Sequence, residues 1–231
     1  MTKFTFAQRE EGFDTHIEKS IRGYSNLWND VLKISEYFVE DNSRVVDIGC
    51  SSGKLLKAMI DQNKFAPKAE YVGVEIEEDF FSGFKDDIGS GMFPNLNYFT
   101  GDIRDYDFGL EKCSLVTSIF TLQFMQEDQR FNAIKQIYNG LKYGGAFVFA
   151  EKTFSESAKI HEIRTFTYYD YKRQNFTSDD ILDKEHQLRH MMKPNTRKEL
   201  ISMCSMAGFS FSEIDSFWQN HGFTGFIAVK R

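Results

Sequence analysis

The chain has 231 residues and a formal net charge of −6, with 41% apolar and 27% charged residues. The acidic balance disfavours a broad grip on a phosphate backbone, and three widely spaced cysteines (Cys50, Cys113, Cys204) favour neither a disulfide framework nor a zinc site. No apolar run approaches membrane-spanning length and none has the shape of a signal peptide, so the expectation is one cytoplasmic domain over residues 1–231 with a substantial core.

Residues 1–43 read as a polar arm, with Phe4, Phe6 and Phe13 among charges, followed by a helix capped by Ser25. In that helix Leu27, Trp28, Val31, Leu32, Ile34, Tyr37 and Phe38 form one broad apolar face. Short apolar runs then alternate with amphipathic segments. Strands are predicted at 45–48, 71–76, 96–100, 114–120 and 146–150, and helices at 53–60, near 79–87 and at 127–141. This β-α-β-α succession predicts a parallel sheet with right-handed crossovers and helices on both faces. Residues 152–194 are polar and helical in pattern, too long for a simple connection, and read as a helical cap inserted after the fifth strand. A helix at 196–207 stops at Gly208, and strands at 209–217 and 223–230 close the sheet as an antiparallel edge hairpin, seven strands in all. The 24 phenylalanines are expected mostly in the core.

The segment Val45-Val46-Asp47-Ile48-Gly49-Cys50-Ser51-Ser52-Gly53 is a strand, a tight turn of small residues and a helix start. Such a turn lets backbone approach a ligand closely and offers free N–H groups to a carboxylate. Dinucleotide-binding folds use a similar turn, so alone it is a weak signal. Glu75 ends the second strand, where an acid can accept both hydroxyls of a ribose. Gly101-Asp102-Ile103-Arg104-Asp105 follows the third strand, where an acid and an apolar residue frame an adenine. Three ordered signals at successive strand ends place a nucleoside-like ligand across the carboxyl edge of the sheet.

With these residues in place, the chain resembles the class I S-adenosylmethionine (SAM)-dependent methyltransferases, a Rossmann-like α/β fold. From about Phe13 to Lys230 it is similar to the carboxy-SAM synthase branch, which serves tRNA wobble-uridine modification and makes carboxy-SAM from SAM and prephenate. The matching runs are Ile21 to Asn26, Gly101 to Asp105, Phe120 to Phe124, Ile137 to Leu141, Gly144 to Ala146, Glu151-Lys152 and Asp170 to Arg173. The resemblance implies SAM as cofactor, held by Tyr24, Gly49, Cys50, Ser51, Glu75, Asp102 and Ile103. Asp47, Gly53, Ile76 and Ile119 adjoin the same motifs and are counted with them. It also implies a homodimer.

Two positions depart from the synthase pattern. Ile119 stands where the branch has an asparagine, and Glu185 stands where it has the arginine that grips the extra carboxylate. A carboxylate facing a carboxylate is repelled rather than paired. The expectation is therefore methyl transfer to a small-molecule acceptor. Carboxy-SAM synthesis is one alternative, with His186 and Arg189 as compensating cations, and a non-catalytic SAM-binding subunit is another. Tyr168, Tyr169, Tyr171, His161, His186, His190 and Glu151 are candidate proton-transfer groups, Tyr169, His186 and Arg189 the foremost site candidates. Asp170 and Arg173 have the spacing of a helical ion pair. Phe166, Tyr168, Tyr169 and Tyr171 are expected in a lid and dimer contact. The fourth strand does not end in the Pro-Pro-aromatic pattern of amino-directed DNA methyltransferases, and no Pro-Cys nucleophile is present.

Overall fold

The computed structural model describes residues 13–80 and 91–231. Its elements are α1 (Phe13–Ser20), α2 (Tyr24–Ser35), β1 (Arg44–Ile48), α3 (Lys54–Gln62), β2 (Glu70–Glu75), β3 (Leu96–Thr100), β4 (Cys113–Ile119), α4 (Glu127–Gly140) and β5 (Leu141–Phe154). There follow α5 (Ala158–Lys172), α6 (Ser178–Leu188), β6 (Asn195–Thr196), α7 (Arg197–Ala207), β7 (Ile214–Asn220) and β8 (Phe223–Val229). The predicted helix near 79–87 falls mostly outside the described residues, as do Phe4 and Phe6. Residues Glu78–Phe80 form a single 3₁₀ turn.

The strands run in the order β3-β2-β1-β4-β5-β8-β7, with β6 paired to the far end of β5. All pairs are parallel except β5–β8 and β7–β8. Strand β1 lies between β2 and β4, so chain connections leave it in opposite directions and open a crevice at the carboxyl edge.

Strand alternation divides the core between the two faces. Val46, Ile48, Val72, Val74, Val116, Phe147 and Phe149 pack against α4 and α7. Val45, Tyr71, Leu115 and Val148 pack on the other face against α2 and α3. Both faces are covered by helices, which is why Tyr71–Val74 of β2 reads as a run without polar alternation. Phe147, Phe149 and Phe226 stack in a file on the first face, with centroids 4.5 and 5.0 Å apart.

Several local readings are corrected. Helix α2 is capped by Gly23 in the left-handed region (φ 74°), not by Ser25, whose hydroxyl donates to Glu18 Oε1 at 3.1 Å. Part of the supposed arm is helical, as α1. Strand β5 begins at Leu141 and passes through Gly144 (φ 78°) instead of starting after it, and it runs on to Phe154. Strand β7 starts later than expected, after a 3₁₀ turn at Phe211–Glu213.

The extension of β5 positions the cap. Thr153 pairs with Asn195 of β6, which pins the returning end of the 155–194 segment to the sheet. Helices α5 and α6 occupy that segment and overhang the carboxyl edge. Asp170 and Arg173 form the expected pair at 3.1 Å.

Candidate functional site

The carboxyl edge carries a cavity of about 330 Å³, within the size range of small-molecule sites. Its floor is the turn after β1. Gly49 (φ 69°) and Ser51 (φ 46°) are both left-handed, and Gly49 N–H donates to Val74 O at 2.8 Å. Glu75 locks this turn to β2. Its Oε2 accepts from Ser51 N–H at 2.9 Å, and its Oε1 accepts from Ile76 and Glu77 N–H at 2.9 and 3.0 Å. Oε1 is filled by its two donors, while Oε2 keeps acceptor capacity for a ligand hydroxyl.

The second wall follows β4. Phe120 is left-handed (φ 59°), an uncommon conformation for a bulky residue and characteristic of strained functional loops. Two buried polar side chains stabilise it. Glu151, 2% exposed, accepts from Leu122 and Gln123 N–H at 3.0 and 2.8 Å. Arg130, 1% exposed, donates to the carbonyls of Leu122, Met125 and Lys193. Glu151 is thus used to hold the loop and does not line the cavity, so it is not the solvent-facing base that its position suggested. Tyr24, Phe120, Phe223 and Tyr168 form a file of rings along this wall, with successive centroids 6.2, 5.3 and 5.5 Å apart.

The cap closes the third side with Tyr168 and Lys172 from α5 and Lys184, Glu185 and Leu188 from α6, facing Lys152 of β5. Lys152 Nζ lies 3.2 Å from Glu185 Oε2. Burial, with the Glu185 charge second, pushes the Tyr168 hydroxyl well above its ordinary range, so it stays protonated.

Of the residues expected at the cofactor, Tyr24, Asp47, Gly49, Cys50, Ser51, Glu75, Ile76 and Ile119 line this one cavity. Gly53 is buried behind the turn as the N-cap of α3. Asp102 and Ile103 do not line it: Asp102 is engaged by Arg104 at 2.6 Å, and Ile103 packs in the core. Tyr169, His186 and Arg189 are also outside the lining. Helical geometry explains the last two. Lys184, Glu185 and Leu188 share the inward face of α6, which turns His186 and Arg189 to the exposed side. Lys152, Lys172, Lys184 and Thr121 also line the cavity; all but Lys184 lie in the runs that carry the resemblance, yet none is singled out there as a site residue. Only the i,i+4 spacing of Tyr168 and Lys172 hints at a shared face. Among the described residues no His/Cys/Asp/Glu cluster could hold a metal ion, and no helix is long and apolar enough to cross a membrane.

Asp47 gives the site a pH signature. Burial, opposed by the Thr117 hydroxyl at 2.6 Å and reinforced by Glu75, pushes its carboxyl up to about 7. An unfolded aspartate titrates at about 3.9, so the folded chain holds the extra proton between those values. Stability therefore falls as pH rises from about 4 to 7, by on the order of 4 kcal/mol from this group. Glu151, pushed up to about 8 by burial against the Arg130 charge, acts in the same direction. Urea unfolding at pH 5, 6, 7 and 8 should show this decline, and Asp47→Asn should make it shallower, leaving the Glu151 part. An equal slope in the variant would exclude Asp47 as its source.

A methyltransferase domain family model matches residues 45–145, from the start of the cofactor turn through β4 and α4. The carboxy-S-adenosyl-L-methionine synthase of Staphylococcus epidermidis is 36% identical over 228 residues, covering 98% of this chain and 96% of that protein. The synthase of Shewanella piezotolerans is 28% identical, covering 100% and 94%. Among solved structures, the CurJ carbon methyltransferase aligns with a TM-score of 0.64 at 16% identity, over 94% of this chain and 57% of that one. Human N-acetylserotonin methyltransferase in complex with SAM aligns at 0.59 and 16%, over 90% and 52%. These structures share the fold, and the near full-length relatives define the branch: the chain belongs to the carboxy-S-adenosyl-L-methionine synthase family of class I methyltransferase-fold proteins.

Proposed function

We propose that the chain is a SAM-dependent transferase whose second substrate is an anion, with carboxy-SAM synthesis as the reaction. One observation carries this reading. A single cavity runs from the Gly49 turn and Glu75 to a cap-side end lined, among the described residues, by Lys152, Lys172 and Lys184 together with Glu185. The charge reversal at Glu185 is met locally by Lys152 at 3.2 Å, so it does not by itself make the cap side acidic.

The residues fit the cofactor. Glu75 would accept from a ribose hydroxyl, and the backbone around Gly49 to Ser51 would receive the amino-acid end of SAM. Bound SAM supplies an activated sulfonium methyl group. The chain then has to orient that group and the second substrate, keep water out and hold the anion near the lysines. Tyr24, Phe120, Phe223 and Tyr168 provide the apolar wall for that purpose. Aromatic faces also favour a cation such as a sulfonium.

Incubating the protein with SAM and prephenate should yield a SAM derivative heavier by one carboxyl group on mass spectrometry. A second reading, methyl transfer, is favoured by Glu185 itself, which could receive a cationic acceptor. S-adenosylhomocysteine accumulating with an amine acceptor, without any carboxylated product, would select that reading.

A further inference from the structure

The Lys152–Glu185 pair joins the sheet to the cap within the cavity lining. Lys152 Nζ lies 3.2 and 3.5 Å from the two Glu185 oxygens, and the side chains are only 20% and 25% exposed. A half-buried ammonium is costly to leave without a counter-charge. The ring of Tyr168 lies 5.8 Å from Lys152 Nζ, and Lys172 and Lys184 line the same end of the cavity. An anion entering here meets attraction from the lysines and repulsion from Glu185. Its closest approach to Lys152 competes with the glutamate for the same ammonium.

We propose that Glu185 is a tethered stand-in for the anionic group of the second substrate, holding Lys152 until that group displaces it, so that the pair determines which anions bind. This rests on the reading of an anionic second substrate. The geometry suits exchange over permanent clamping. Both partners are long side chains on separate elements, one on a strand and one on a cap helix, and both face the cavity. Lys152 is anchored at its base, where its N–H donates to Gln123 Oε1 at 2.7 Å, so the strand from which the ammonium extends stays in place when its partner leaves. Because the competitor is built in, a weakly binding anion would fail to displace it, and one with two acidic groups would succeed.

The test is calorimetric titration of prephenate, and of malonate as a plain dicarboxylate, into protein saturated with S-adenosylhomocysteine, which lacks the sulfonium charge. Glu185→Gln should bind both anions about tenfold more tightly than the unaltered protein. Lys152→Met should bind them at least tenfold more weakly, and the double variant should follow Lys152→Met. A pair that merely clamps the cap predicts the reverse for Glu185→Gln: unchanged or weaker anion binding, with a lowered unfolding temperature. Equal or weaker binding by Glu185→Gln, or no binding by any of these proteins, overturns the proposal. Glu185→Ala, measured in parallel, separates exchange from clamping in the same way if the glutamine variant fails to fold. The carboxy-SAM assay is separate. If it fails while Glu185→Gln tightens the anions, the reaction assignment is wrong and the exchange stands. If it succeeds without tightening, the exchange alone is wrong.

Discussion

Gly49→Ala is expected to weaken SAM binding at least a hundredfold and to lower unfolding free energy by about 3 kcal/mol, within the range of severe single substitutions. Two costs combine. The first is backbone: Gly49 has φ 69°, where a side chain costs about 1–2 kcal/mol. The second is steric, because an added Cβ would lie 2.1 Å from Thr121 Oγ1 and 2.7 Å from Thr121 Cγ2. Thr121 cannot yield freely, since its hydroxyl bonds to Ile48 O at 3.1 Å and it follows the strained Phe120. Moving it would shift Ile119 and Phe120, which line the cavity.

Gly144→Ala separates the two costs. Gly144 has φ 78°, but a Cβ there would meet nothing within 4 Å. It should show only the backbone loss, with SAM affinity unchanged. Adding Thr121→Ala to Gly49→Ala removes the two nearest atoms but leaves the Thr121 Cβ at 2.9 Å, so recovery should be partial. Thermal unfolding and SAM titration on the four proteins read both quantities. Normal SAM affinity in Gly49→Ala would show that the β1 turn is not the cofactor wall.

The contrast between the two walls of the site explains what was legible in the sequence. The Gly49 turn and Glu75 lie at the ends of short apolar strands, and both the strand period and the turn residues are local signals. The edge hairpin was legible in kind from the runs at 209–217 and 223–230, although its first strand lies at Ile214–Asn220. The cap wall was not. Helix α5 carries exposed Ile160, Ile163 and Phe166 as well as buried Tyr168, so no single apolar stripe marks the inward face. Lysines at 152, 172 and 184 carried no site reading of their own, because isolated lysines seldom face inward. Lys152 was hidden further by the polar Glu151-Lys152 pair, which masked the continuation of β5. Asp102 fitted the adenine position by sequence order, yet the adjacent Arg104 engages it at 2.6 Å. Partner choice between neighbouring charges is a tertiary outcome that spacing does not encode.

Replacing Glu75 tests the same wall from the other side, and the choice of residue matters. Glu75→Ala removes the acceptor for Ser51, Ile76 and Glu77 N–H together with the ribose partner. Hydrogen bonds to a charged group contribute about 1.5–3 kcal/mol each, so loss of the ribose contact predicts SAM binding weakened by roughly tenfold to more than a hundredfold, and loosening of the Ser51 turn adds to it. Glu75→Gln is nearly isosteric and divides the effect. Its single carbonyl oxygen is best used where two donors converge, at Ile76 and Glu77, which turns the amide NH₂ toward the Ser51 N–H. Two donors then face each other across the left-handed Ser51 turn. The glutamine variant should therefore fold, bind SAM about a hundredfold more weakly, and lose protection of the Ser51 amide from hydrogen exchange while Ile76 and Glu77 keep theirs. Glu75→Asp keeps the charge but shortens the reach, and should fall between wild type and alanine. SAM affinity unchanged in Glu75→Ala would remove the acid from the ribose site. Lost Ser51 protection with intact affinity would leave it a purely structural brace between β2 and the turn.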